Sequence, residues 1–156
     1  MQSRRQMLSR SAKVASLLAA VGLLPGLAQA QAAGTYNAAA FSAKTMADLM
    51  KAVGGAAPTE SKDVTVTGPD IAENGAVVPI GAATSLPGVK RLLILVEKNP
   101  TMLTSMFDIT DAIDANVLTR VKMGQSSNVF AVAMMNDGKV LFAQKEVKVT
   151  LGGCGG

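Results

Sequence analysis

The spacing of apolar residues changes its period once along this chain. Over Phe41 to Val53, Met46, Leu49, Met50 and Val53 recur at i, i+3, i+4 and i+7, which places them on one face of a helix. Thr45 with Asp48 forms a capping-box-like start, with Ser42 an equal candidate, and Gly54-Gly55 followed by Pro58 ends the helix. Residues 31–40 are small and polar and read as a leader into it. The methionine-bearing stripe predicts packing against the rest of the domain.

From Asp63 the period falls to two. Val64 and Val66 alternate with Thr65 and Thr67 up to Gly68-Pro69. Val77 to Ala83 contains Pro79, which lacks a backbone donor, so an edge or bulged strand is expected there. Lys90 to Lys98 is apolar on both faces and reads as central, and Ser105 to Ile109 is a weaker candidate. Asn116 to Met123 sets Val117, Thr119, Val121 and Met123 against Leu118, Arg120 and Lys122. Asn128 to Met135 is again apolar on both faces, and Asn136-Asp137-Gly138 predicts a hairpin turn. In the last strand, Leu141, Ala143, Val147, Val149 and Leu151 share a face that Lys145 interrupts, so a bulge is expected nearby. About seven strands at roughly twelve-residue spacing, with no helical period after Val53, predict an all-β antiparallel β-sandwich preceded by one N-terminal helix.

Residues 1–30 are expected to be removed. Ser3-Arg4-Arg5-Gln6-Met7-Leu8 has the form of a twin-arginine motif, Val14 to Leu27 is an apolar stretch too short for a confident membrane anchor, and Ala28-Gln29-Ala30 fits a cleavage site. The organisation predicted is a signal over 1–30, a helix-plus-sandwich domain over 31–151 and a terminal arm over 152–156, with the mature chain in the periplasm. The signal carries four of the fifteen basic residues and none of the eleven acidic ones, so eleven face eleven in the mature chain. The high pI belongs to the signal, and no basic patch argues for nucleic acid.

Histidine is absent, which removes Ser-His and Cys-His pairs and His-ligated metals or haem. One cysteine cannot build a thiolate-rich metal site, and no Gly-rich loop joins a strand to a helix. Asp108, Asp111 and Asp114 cluster without the alternate-residue spacing of a calcium loop and read as a solvated turn. Neither a resident cofactor nor an independent catalytic site is predicted.

What remains is Cys154, set among Gly152, Gly153, Gly155 and Gly156. Glycine samples φ on both sides of zero, so the sequence predicts a short flexible tether, reaching at most about 20 Å beyond the last strand. An odd cysteine in an exported chain points to a reactive thiol or an intermolecular bond, and predicts a disulfide-linked dimer through Cys154. The competing readings are a periplasmic β-sandwich binding module with an incidental tail, and a ubiquitin-like carrier activated at its terminal Gly-Gly, which export away from ATP disfavours.

Val147-Lys148-Val149-Thr150-Leu151-Gly152-Gly153-Cys154-Gly155-Gly156 resembles the C-terminus of SoxY, the sulfur-carrier subunit of the bacterial thiosulfate-oxidising system. The resemblance extends over the signal, the helix, the sandwich and the arm. It implies an immunoglobulin-like fold, and a carrier that catalyses nothing itself but holds thiosulfate-derived intermediates on Cys154. It implies as partners a small β-sandwich subunit (SoxZ), a haem-containing loading enzyme, a dimanganese hydrolase that releases sulfate and, in some organisms, a molybdenum–haem dehydrogenase.

Overall fold

The computed structural model describes residues 37–150. Among the described residues two short helices come first, α1 (Ala38–Ser42) and α2 (Met46–Val53). Nine strands follow: β1 (Thr59–Glu60), β2 (Val64–Thr67), β3 (Ile71–Ala72), β4 (Val78–Thr84), β5 (Val89–Val96), β6 (Leu103–Asp108), β7 (Asn116–Val121), β8 (Ser127–Met135) and β9 (Val140–Val149). Seven of them are four residues or longer and correspond to the strands expected from the sequence. The larger sheet runs β1-β9-β8-β5-β6, with β3 also on β9, and the smaller runs β2-β4-β7. The sandwich of the immunoglobulin-like kind is therefore present. The two-residue strands β1 and β3 were not foreseen, and both pair with β9 in parallel.

The leader and helix expectations need correction. Ala38 to Ala40 are helical, and one helix over 41–53 is in fact two, because the chain is extended at Ala43 and Thr45. Each helix has its own cap. The Asn37 side chain accepts from Ala40 N at 3.0 Å, and Thr45 Oγ1 accepts from Asp48 N at 3.1 Å. The end of α2 is a Schellman motif: Gly54 N donates to Lys51 O at 3.3 Å and Gly55 N to Met50 O at 2.8 Å, with Gly54 at φ 70°.

The doubly apolar strands are explained by three layers. On β5, Leu92, Ile94 and Val96 face the smaller sheet, while Leu93 and Leu95 face the helices. On β8, Val129, Ala131 and Ala133 face the sheet, and Phe130, Val132 and Met134 face the helices. Leu49 and Met50 of α2 complete the outer core, as their spacing predicted.

Pro79 and Lys145 depart from expectation. β4 is the middle strand of its sheet, not an edge. Pro79 is tolerated because the last β2 partner is Thr67, opposite Gly81, so at Pro79 the strand is paired only with β7. Lys145 causes no bulge, and β8 and β9 stay in register from Ser127↔Val147 to Met134↔Val140. The register shifts fall where β5 meets its neighbours instead: Lys90 of β5 is the extra residue against β8, and Thr104 of β6 is the extra residue against β5. Among the described residues, no helix is long and apolar enough to cross a membrane.

Candidate functional site at the root of the C-terminal arm

Gly152, Gly153, Cys154, Gly155 and Gly156 lie outside the described residues, as does the signal over 1–30. What the fold defines is where the arm begins. β9 enters its last residues with β8 on one side, at Ser127↔Val147, and β3 on the other, at Ile71↔Lys148 and Ala72↔Val149. Three consecutive backbone N–H groups are then taken. Lys148 N donates to Asp70 O at 3.0 Å, Val149 N to Ser126 Oγ at 2.9 Å and Thr150 N to Ala72 O at 3.1 Å. The Thr150 hydroxyl donates to Glu73 O at 3.0 Å. Alternate donors point to opposite sides of a strand, so the root is held from both.

Lys145 holds the segment that forms this clamp. Its ammonium donates to Gly68 O at 2.6 Å and pairs with Asp70 Oδ1 at 2.9 Å. The hydrogen bond from Lys145, helped by its charge, holds the Asp70 carboxyl below its usual range. The cation in an apolar stripe thus fastens the chain leading into β3. The neighbouring loops are tied as well: Asn99 Nδ2 donates to Lys122 O at 2.7 Å, and Ser127 Oγ, itself buried, accepts from Lys98 N at 3.0 Å.

The other candidate groups sit elsewhere. Asp108 accepts from Arg91 Nε at 2.6 Å. Asp111 and Asp114 line an open groove of about 790 Å³ with Thr84, Ser85, Ile109 and Asn116. Among the described residues, no three acidic, His or Cys side chains are grouped so as to hold a metal ion. A smaller cavity of about 120 Å³ lies by Gly54, Lys90 and Lys139. Both cavities are at the sandwich end where β9 begins, about 30 Å along the ten-residue strand from Thr150. Cys154 is four residues beyond Thr150, a span of at most about 14 Å, so the thiol reaches neither of these two cavities.

Ser126, Glu73 and β3 were missed at the sequence level. A two-residue strand has no period to read, and its partner lies 77 positions away in the chain.

A family model described as "Sulfur oxidation protein SoxY" matches residues 49–154, more than half of the chain. The chain belongs to the SoxY family. Its match takes in Thr150 and ends on Cys154. Among solved structures, the sulfur carrier protein SoxY from Chlorobium limicola f. thiosulfatophilum is similar, with 33% identity and a TM-score of 0.59 over 66% of this chain and 93% of that one. A variant of the superoxide reductase (neelaredoxin) from Ignicoccus hospitalis has a TM-score of 0.50 over 55% of this chain and 78% of that one. At 13% identity that likeness concerns the fold alone. No curated protein sequence matches the chain.

Proposed function

We propose that this SoxY-family chain is a covalent carrier of thiosulfate-derived sulfur intermediates, held on Cys154 and presented to partner enzymes in the periplasm. The observation that carries the reading is the clamped Thr150, four residues before the lone cysteine. A fixed root with a glycine tether gives the cargo a defined origin and a limited reach.

In the loading step, the Cys154 thiol and thiosulfate join through a new S–S bond. One proton and two electrons leave, and the electrons pass to the haem-containing partner. In the releasing step, water adds across the bond between the sulfane sulfur and the sulfone. Sulfate departs and a persulfide stays on Cys154 for oxidation by the molybdenum–haem partner, where the organism has one. The metals belong to the partners; this chain supplies the sulfur atom and the arm of Gly152, Gly153, Gly155 and Gly156. Export by the twin-arginine signal and pairing with a SoxZ-like β-sandwich complete the proposal.

Intact-mass spectrometry of the mature protein from thiosulfate-exposed cells, with and without reductant, tests it. Reductant-labile sulfur adducts mapping to Cys154, and absent from Cys154→Ser, are expected. An unmodified thiol would leave a binding module with an incidental tail.

A further inference from the structure

The clamp at Thr150 and the short tether constrain whatever receives the arm. Any pocket that takes the sulfur must open within about 14 Å of Thr150, so the partner's surface must meet the ground around the root. The segment 71–77 forms one side of that ground. Ala72 O and Glu73 O accept from Thr150, Gly75 O accepts from Met123 N at 2.7 Å, and a turn brings Val77 N to Asn74 O at 3.5 Å. The Asn74 side chain accepts from Ala76 N at 2.8 Å and stiffens the same turn. Among the described residues four large apolar side chains are exposed, and two of them are on this segment: Ile71 at 59% and Val77 at 54%.

We infer that Ile71 and Val77 form the docking rim for the enzymes that act on the arm, meeting an apolar collar around a narrow active-site entrance. This rests on the carrier reading. The occupant follows from the chain beyond Thr150: six residues continue from this point, and the thiol within them is too far from either cavity described above to be received there. The fastened loop presents the two side chains with little backbone ordering cost on binding, which favours a small contact that forms and releases readily. The other two exposed apolar residues, Ile113 and Leu118, are on the distant groove loop and on β7.

The test loads full-length mature protein with thiosulfate, using the native organism's purified haem-containing loading enzyme at limiting concentration. Adduct formation on Cys154 is followed by mass. Ile71→Glu and Val77→Glu are each expected to slow loading by about tenfold, and Leu118→Glu to leave it unchanged. Reaction of Cys154 with a small disulfide reagent, which needs no docking, should proceed at the wild-type rate in all three. Loading within twofold of wild type for both root variants overturns the docking rim while leaving the carrier reading intact, as does an equal loss in Leu118→Glu. Failure of the wild-type protein to load, as for Cys154→Ser, overturns the carrier reading and the rim with it.

Discussion

Lys145→Met removes the cation that interrupts the apolar stripe of β9 and keeps most of the side-chain length. In the native chain the ammonium donates to Gly68 O at 2.6 Å and pairs with Asp70 at 2.9 Å. The Asp70 carboxylate is solvated, so the ion pair adds little. A hydrogen bond from a charged donor contributes about 1.5–3 kcal/mol. The Lys145 side chain is 31% exposed and water replaces part of that bond, so the lower end applies. The expected loss is about 1.5 kcal/mol, which lowers Tm by about 6 °C for a domain of this size. The effect should also be local, because Gly68 and Asp70 lead into the strand that clamps the arm. Exchange of the Lys148 and Thr150 amide protons, donated to Asp70 O and Ala72 O, should quicken by about tenfold. Urea unfolding followed by far-UV circular dichroism measures the first, and amide exchange by NMR the second. Asp70→Asn should stay near wild type in both. An unchanged midpoint, with exchange at Lys148 and Thr150 within twofold of wild type, would refute the idea that Lys145 fastens the root.

Leu49→Ala empties a fully buried position between α2 and the larger sheet and should cost about 2–5 kcal/mol in urea unfolding; a loss below about 1 kcal/mol would show that the helix layer is not packed as described. Asp70 and Asp137 are each held below the usual carboxylate value of 3.8 by a neighbouring lysine. Their contribution is present above the unfolded value and lost as pH falls through the folded one, so NMR titration should find both midpoints below 3.8, and a midpoint above it would contradict the pairing with Lys145 or Lys139. Air-oxidised mature protein should run as a dimer on a non-reducing gel and as a monomer after Cys154→Ser, whereas a dimer that persists in the variant would place the contact elsewhere.

The sequence by itself determined the features that repeat locally. The period of α2, the alternation of β7 and the two-sided apolar runs of β5 and β8 each follow from side chains a few residues apart, and each is where the pattern placed it. Likewise Cys154 stood out by elimination, since no histidine and no second cysteine compete with it. Tertiary structure decided what depends on distant partners. Only the layering shows that the outer faces of β5 and β8 are buried by helices. Pro79 sits in a middle strand because β2 is too short to reach it, a matter of a neighbour's length. Lys145 stays in register because Gly68 O, 77 positions away, accepts its hydrogen bond, where local alternation alone argued for a bulge. The same separation hid the clamp. Ala72, Glu73 and Ser126 carry no motif, and they hold Thr150 only because β3 and the loop before β8 meet the end of β9 in space. A backbone hydrogen bond between remote segments leaves no periodic trace in either one, so the root of the arm could be seen only once the chain was folded.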